Sequence, residues 1–144
     1  MEQCLKNFLK TELLEGGESY DCVICEEKTS ADTFYNIKSP SDIFVINLKR
    51  YSHQRNQVFK NNEAITVPLE ISIDCQSYEM FAFVVHCDSK IATSGHYKAY
   101  VNCRTGWYEF DDEKVTTVTP TQLKELTNRG YYYCYRRIKV PETY

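Results

Sequence analysis

Three strand-like segments in the second half of the chain constrain its fold most strongly. They read YEMFAFVVHC at residues 78–87, HYKAYVNC at 96–103 and WYEFDD at 107–112. Each segment is rich in β-branched and aromatic residues, which favour the pleated, half-buried surface of a sheet. Arg104, Thr105 and Gly106 separate the last two segments, so a tight turn is predicted to pair them as an antiparallel hairpin. The chain is therefore predicted to form a mainly antiparallel sheet.

The remaining segments predict small helices and further strands around that sheet. Residues 1–17 are predicted to hold a helix, because apolar residues recur at helical spacing and two glycines follow them. The other predicted elements are strands over residues 43–52, 65–73 and 131–140, a short helix over 119–129, and a polar loop over 53–64. Pro68 suggests an edge or irregular strand within 65–73. At 144 residues, the sum is one α+β domain.

Composition argues against several classes of function. The formal net charge of -3 disfavours binding to nucleic acid or to an anionic membrane. The sequence has no run of 18 apolar residues, so no membrane-spanning helix is expected. The N-terminus reads as an amphipathic helix and not as a signal peptide. Seven cysteines without a secretory signal then predict reduced thiols in the cytoplasm or the nucleus.

The predicted hairpin brings one histidine and two aspartates to its open end. His96 precedes one strand, and Asp111 and Asp112 follow the other. A carboxylate that accepts the imidazole Nδ1–H fixes the tautomer, which leaves Nε2 to take a proton from a nucleophile. Gly95 removes a side chain beside this histidine and permits unusual backbone angles. The alternative is an incidental pairing, because such residues are common in loops and at strand ends.

A longer pattern of histidine, glycine and aromatic residues runs through residues 78–115. Its members are Tyr78, Val84, Val85, His86, Gly95, His96, Tyr97, Tyr100, Trp107, Tyr108, Phe110, Asp111, Asp112 and Val115. This pattern resembles the histidine box of the ubiquitin-specific proteases, the papain-like family of deubiquitinating cysteine peptidases. That box reads approximately Tyr-x-Leu-x-(apolar)-Val-(apolar)-His-x-Gly, a variable loop, Gly-His-Tyr-x-x-Tyr, and Trp-Tyr-x-Phe-(Asp/Asn)-Asp-x-x-Val. One departure is His86-Cys87-Asp88, where the family has glycine at the third position.

Other segments resemble the same family in the same order. DIFVINLKRYS is similar to its apolar-Leu-x-Arg-Phe strand, DCVICEEK to the second Cys-x-x-Cys of its zinc-binding fingers, and YYYCYRR to its last strand. The resemblance implies the palm of a papain-like cysteine peptidase, with part of the fingers and without the thumb. On this basis residues 18–60 belong to fingers and palm, and residues 61–144 form the palm with the histidine box.

The resemblance also implies roles for individual residues. His96 would be the general base that activates a cysteine, Asp111 the third triad member, and Asp112 a neighbour that assists the oxyanion or the histidine. His86, Ser94 and Gly95 would lie in or beside the loops lining the channel for the C-terminal tail of ubiquitin. The implied partners are ubiquitin or ubiquitin-like conjugates, with neither nucleic acid nor membrane.

Cys22 and Cys25 are implied to form half of a zinc site. Tetrahedral zinc requires four ligands, usually two pairs, and the second pair is not in this sequence. No cofactor is required for the chemistry, and a structural zinc is expected if another segment supplies a second cysteine pair. Cys4 and His53 are conceivable stand-in ligands, but neither has ligand spacing.

The family's nucleophile lies in a box resembling Gly-Asn-Thr-Cys-Tyr/Phe, which does not occur in this sequence. One hypothesis is an enzyme fragment whose nucleophile lies on missing sequence or on another chain, since the histidine can activate only a group within reach. The fragment would need its missing N-terminal half or another protein chain as a partner. The second hypothesis is a catalytically inactive ubiquitin-binding or scaffold protein. The third is an α+β domain with an incidental pair.

Overall fold

A computed structural model describes residues 1–39, 41–54, 57–87 and 95–139. The chain divides into two compact units, Met1–Ser39 and Pro40–Tyr144. The second unit contains His96 and both candidate aspartates, and the first contains Cys22 and Cys25. Within the described residues, no helix is long and apolar enough to cross a membrane.

The first unit is built from a short helix and two small antiparallel strand pairs. Its elements are helix α1 (Glu2–Phe8), strand β1 (Glu12–Leu14), a 3-10 helix (Gly16–Glu18), and strands β2 (Tyr20–Cys22), β3 (Glu27–Thr29) and β4 (Ala31–Thr33). β1 pairs with β4, and β2 pairs with β3. Phe8 and Tyr35 stack with their ring centroids 4.7 Å apart.

The predicted helix over residues 1–17 is wrong beyond Phe8. The helix ends there, and Glu12–Leu14 forms a strand instead. No residue of α1 is buried, so the helix lacks a buried face that would stabilise further turns. The backbone groups of Glu12–Leu14 pair with Ala31–Thr33 across a strand ladder instead of forming helical hydrogen bonds.

The second unit is dominated by a seven-stranded antiparallel sheet. Its elements are β5 (Ile43–Asn47), β6 (Tyr51–Gln54), β7 (Gln57–Lys60), β8 (Glu70–Ile73), β9 (Gln76–Cys87), β10 (His96–Cys103), β11 (Gly106–Asp111), β12 (Lys114–Val118), α2 (Pro120–Thr127) and β13 (Gly130–Arg137). The strand order is β12-β11-β10-β9-β13-β5, and β8 pairs with the beginning of β9. β6 and β7 form a separate hairpin.

The predicted hairpin and the second predicted helix are confirmed. β10 and β11 pair with Cys103 opposite Gly106, and Gly106 has a φ of 129°, a region that favours glycine. Thr119 and Gln122 form a capping box at the start of α2, with Pro120 in its first turn.

Two other stretches differ from the sequence prediction. Residues 53–64 are predicted as a polar loop, but the first part of this stretch belongs to the β6–β7 hairpin, whose backbone pairing does not require apolar side chains. Residues 65–73 are predicted as a strand, but only Glu70–Ile73 pairs with β9. Pro68 has no N–H to donate to a ladder, which explains the late start of this strand.

Aromatic side chains fill the core of the sheet. The largest fully buried ones are Tyr78, Phe83, Tyr100, Tyr133 and Tyr135. Phe83 stacks on Tyr100 with ring centroids 4.7 Å apart. Three of the hydroxyl groups donate to backbone carbonyls: Tyr78 to Ser41 (2.9 Å), Tyr133 to Thr127 (2.7 Å) and Tyr135 to Pro68 (2.8 Å). The hydroxyl donors of these three buried tyrosines are therefore all satisfied.

Arg50 is buried and connects separate parts of the second unit. Its guanidinium donates to the carbonyls of Gly130 (2.9 Å), Asn128 (2.8 Å), Glu63 (2.7 Å) and Asn61 (3.3 Å). Only a planar group with several donors can reach all four acceptors at once. The position belongs to the Leu-x-Arg segment of the resemblance, and here its role is structural.

Candidate active site

Strand alternation places the candidate residues on one face of the β10–β11 hairpin. His96, Lys98 and Tyr100 share this face in β10, as Glu109 and Asp111 do in β11. Tyr100 lies opposite Glu109 in the register, and the same register continued puts Lys98 opposite Asp111. The hairpin therefore collects two carboxylates, a lysine and a histidine at its open end.

His96 and Asp111 meet in this structure as the hairpin predicts. His96 Nε2 lies 2.5 Å from Asp111 Oδ1, a hydrogen-bonding contact between a histidine nitrogen and a carboxylate that is shorter than an ordinary N–H···O bond. The side chains are 39% and 26% exposed, so a reacting group can approach the histidine while the aspartate is partly shielded.

The nitrogen that faces the aspartate differs from the prediction. The carboxylate was expected on Nδ1, but it contacts Nε2, which corrects that expectation. The choice depends on the rotamer of His96, which a strand pattern does not specify. The nitrogen that Asp111 does not engage is therefore Nδ1, and this is the atom available to exchange a proton with a nucleophile.

The pair shifts the titration of both partners. The hydrogen bond with Asp111 raises the pKa of His96, because the carboxylate stabilises the imidazolium. Lys98, followed by His96, holds the pKa of Asp111 below its usual range through hydrogen bonds to the carboxylate. Both shifts favour the charged forms, an imidazolium beside a carboxylate.

Asp112 lies at the end of the same hairpin with a φ of 51°, a left-handed backbone conformation in the turn between β11 and β12. One polar side-chain atom each of His96, Asp111 and Asp112 lies within 4.8 Å of the others. Asp112 is exposed, and its negative charge adds to the forces that raise the pKa of His96. Its predicted assisting role stays a prediction.

His86 is buried directly beneath Gly95, the residue before His96. A Cβ atom on Gly95 would lie 2.0 Å from His86 Nε2, so only glycine fits against this ring. His86 is 3% exposed, and its Nδ1 lies 2.9 Å from the Tyr51 hydroxyl. Lys60 donates to the His86 carbonyl at 2.6 Å. The β6–β7 hairpin is thus joined to the end of β9 through His86.

The surroundings of the buried histidine disfavour its charged form. Burial, and then the nearby charge of Lys60, lowers the pKa of His86. The predicted place of His86 and Gly95 beside a substrate channel stays a prediction. Ser94, the third residue assigned to that channel, lies outside the described residues.

Sequence reasoning missed a set of contacts behind Asp111. Lys98 Nζ lies 2.8 Å from Asp111 Oδ2 and 3.3 Å from Glu109 Oε1, and the Tyr100 hydroxyl donates to Glu109 Oε2 at 2.6 Å. The alternation of residues in β10 and β11 contains this information, but only after the hairpin register is known.

The cysteines occupy different environments. Cys87 lies opposite His96 in the pairing of β9 with β10. Cys22 ends β2, and the backbone N–H groups of Cys25 and Ile24, followed by the Cys25 side chain, lower the pKa of its thiol. A thiolate favoured in this way and a second sulfur beside it fit half of a tetrahedral zinc site.

The sequence matches a known protein family over most of its length. Residues 9–135 match the family described as ubiquitin carboxyl-terminal hydrolase. Ubiquitin carboxyl-terminal hydrolase 4 of Arabidopsis thaliana is 30% identical, over 94% of this chain and 42% of the relative. Ubiquitin carboxyl-terminal hydrolase 16 of the same plant is 29% identical, over 95% of this chain and 14% of the relative. Ubiquitin carboxyl-terminal hydrolase 21 of Rattus norvegicus is 26% identical, over 98% of this chain and 26% of the relative.

Solved structures confirm the fold. A structure of the yeast SAGA DUB module has a TM-score of 0.80 at 24% identity, over 96% of this chain and 33% of the matched one. The SAGA DUB module of Ubp8, Sgf11, Sus1 and Sgf73 bound to monoubiquitin also has a TM-score of 0.80 at 24% identity, over 97% of this chain and 33% of the matched one. The chain thus spans about a third of these chains and less than half of each relative above.

These matches confirm the predicted α+β, papain-like palm, because the chain with its antiparallel sheet aligns with the solved structures at a TM-score of 0.80. The family match extends over most of the sequence and includes both residues of the histidine–aspartate pair. This chain belongs to the ubiquitin carboxyl-terminal hydrolase family.

Proposed function

We propose that this chain supplies the general base and its orienting carboxylate to a Cys-His-Asp triad that cleaves ubiquitin from its conjugates. The single observation that carries the proposal is the 2.5 Å contact between His96 Nε2 and Asp111 Oδ1. It joins a titratable base to a charged partner on a face that remains open to solvent. Family membership supports the class of reaction.

The proposed chemistry begins with a cysteine thiol placed beside His96 Nδ1. The thiol proton moves to Nδ1, and the sulfur attacks the carbonyl carbon at the C-terminus of ubiquitin. As the C–N bond breaks, Nδ1 returns the proton to the leaving amine and a thioester remains. Water then adds with His96 as the base, the C–S bond breaks, and a carboxylate and the thiol are released.

Asp111 has two roles in this scheme. Through Oδ1 it keeps the Nε2 proton in place, so that Nδ1 is the basic nitrogen. Its negative charge stabilises the imidazolium that forms when the thiol is deprotonated. The raised pKa of His96 favours a thiolate–imidazolium pair over a neutral thiol and a neutral imidazole.

Gly95 and His86 support the segment that carries His96. Gly95 is exposed, has no side chain, and rests on the His86 ring. These features suit the close approach of an extended ubiquitin tail beside the base. A structural zinc at Cys22 and Cys25 is also proposed, with two further ligands from another segment and with no step of the reaction at the metal.

The test uses a relative as the host for this chain. The matching segment of Arabidopsis ubiquitin carboxyl-terminal hydrolase 4 is replaced by residues 1–144, and release of a fluorophore from the C-terminus of ubiquitin is followed. We expect turnover that falls by about 10²–10⁴-fold in His96→Ala. Lys114→Met is the matched control, because Lys114 lies opposite Asp111 in the register of β11 and β12. We expect the Lys114→Met chimera to keep its turnover.

Two outcomes would contradict the proposal. Equal turnover by the chimera and its His96→Ala variant would exclude His96 as the base. A folded chimera that binds ubiquitin without any turnover would favour the non-catalytic binding protein.

The isolated chain is assayed beside its Cys87→Ser variant, because Cys87 is the cysteine paired with His96 across the sheet. Activity lost in that variant would place the nucleophile in this chain.

A further inference from the structure

The carboxylate of Asp111 is held at both of its oxygens. Oδ1 contacts His96 Nε2 at 2.5 Å, and Oδ2 contacts Lys98 Nζ at 2.8 Å. The terminal torsion of an aspartate is broad, so one contact alone leaves the carboxylate free to rotate. Two contacts on opposite oxygens fix the plane of the group and direct Oδ1 toward the histidine.

Lys98 is in turn anchored to the rigid part of the sheet. Its ammonium group lies 3.3 Å from Glu109 Oε1, and the Tyr100 hydroxyl donates to the other oxygen of Glu109 at 2.6 Å. Tyr100 is 2% exposed and stacks on Phe83. Lysine has a flexible stem and holds a partner only where its own ammonium is restrained. The contacts therefore run without a break from the core to His96.

The two anchoring residues lie outside the fixed positions of the histidine-box pattern. Lys98 and Glu109 fall at variable positions of the Gly-His-Tyr-x-x-Tyr and Trp-Tyr-x-Phe patterns. Their pairing is a product of the β10–β11 register, in which Lys98 lies opposite Asp111 and diagonal to Glu109, on the same face of β10 as His96 and Tyr100.

We propose that Lys98 is a positioning residue, which holds Asp111 so that its Oδ1 faces His96. The inference rests on the proposed function, since it concerns the same histidine–aspartate pair. Lys98 is about one-quarter exposed, and ion pairs at such sites add little to stability. Its effect is therefore on the orientation of Asp111 and not on the folding of the sheet.

Several charged groups surround Asp111 and must be considered together. His96 and Lys98 lie on β10, Glu109 and Asp112 lie on or next to β11, and Lys114 lies opposite Asp111 on β12. Within the described part of the chain, Lys114 makes no ion pair with Asp111, whereas Lys98 does. Lys114 thus provides a control with the same charge in the neighbouring strand and without the contact.

The experiment compares the titration of His96 by NMR in the 144-residue chain and three variants. The hydrogen bond with Asp111 raises the pKa of His96, whereas the positive charge of Lys98 lowers it. If Lys98 positions Asp111, Lys98→Met releases the carboxylate and the His96 midpoint falls toward its ordinary value. Lys98→Arg keeps a cation within reach and retains the raised midpoint. Lys114→Met leaves the midpoint raised.

A rise or no change of the His96 midpoint in Lys98→Met overturns the proposal, because Lys98 then acts only through its charge or not at all. That result leaves the proposed role of His96 and Asp111 intact. An ordinary His96 midpoint in the wild-type chain means that the pair does not form, and both proposals fall. The two failures are therefore distinguishable in one set of spectra, which also report whether each variant is folded.

Discussion

Replacing Gly95 by alanine is expected to destabilise the second unit through one identifiable contact. The new Cβ would lie 2.0 Å from His86 Nε2 and 2.6 Å from Cε1. The ring cannot turn aside easily, because it is 3% exposed, is bound to the Tyr51 hydroxyl and lies against the Tyr97 ring. The clash must be relieved by moving the backbone next to His96.

Two contributions add to the expected loss of stability. Gly95 has a φ of 156°, a conformation available essentially to glycine, and occupying it with alanine costs about 1–3 kcal/mol. Overpacking against a well-packed ring costs about another 1–3 kcal/mol. We therefore expect Gly95→Ala to lower the free energy of unfolding by about 2–6 kcal/mol.

Gly106→Ala separates the two contributions. Gly106 also has a positive φ, 129°, but nothing lies within 4 Å of a Cβ added there. It should therefore show the backbone cost alone, with Gly95→Ala less stable by about 1–3 kcal/mol. Urea unfolding followed by the fluorescence of Trp107, the single tryptophan, which lies in β11, measures both values.

A double-mutant cycle with His86→Ala identifies the partner. Removing the ring removes the clash, so Gly95→Ala should be less destabilising in that background by about 1–3 kcal/mol. Equal losses in Gly95→Ala and Gly106→Ala, or strictly additive losses in the cycle, would refute the assignment of His86 as the support of Gly95.

Three further predictions concern other residues. Arg50→Met should lower the free energy of unfolding by roughly 2–5 kcal/mol in urea, because buried carbonyls lose their donor, whereas Arg104→Met in the exposed turn should change it by less than about 0.5 kcal/mol. Burial lowers the pKa of His86, so the folded state binds fewer protons at this residue than the unfolded state. The stability that depends on a neutral His86 is therefore fully present above the ordinary histidine pKa. It is lost as the pH falls through the lowered pKa of the folded state. His86→Gln should flatten that part of the stability–pH curve, and an unchanged slope would contradict the assignment. Cys22 should be alkylated by iodoacetamide at lower pH than Cys134, since hydrogen bonds lower the pKa of Cys22 and burial raises that of Cys134. Peptide mass spectrometry measures the order of alkylation, and alkylation of Cys134 at the lower pH would contradict the prediction.

The hairpin at the candidate site was predictable because its signals are local. Apolar alternation and the turn at Arg104 and Thr105 specify both strands, and a hairpin necessarily brings His96 near Asp111. The β6–β7 hairpin was missed because its sequence is polar and carries no period-2 pattern. Helix α1 ends early because tertiary pairing of Glu12–Leu14 overrides a helical pattern.

Other features of the site depend on side-chain geometry that a sequence pattern does not contain. The contact of Asp111 with Nε2 of His96 follows from one rotamer. The anchoring of Lys98 by Glu109 requires the register of β10 and β11, and the burial of His86 under Gly95 requires the packing of β6 on the end of β9.

The most direct test of this account is the ¹⁵N NMR signature of the His96 ring nitrogens in the neutral form. We expect the proton on Nε2, where Asp111 accepts it, and a basic Nδ1 facing the nucleophile. Asp111→Asn should weaken this preference and lower the midpoint of His96, since the carboxylate raises the pKa. A neutral His96 with its proton on Nδ1, or a preference unaffected by Asp111→Asn, would contradict the claim that Asp111 orients His96 as the base.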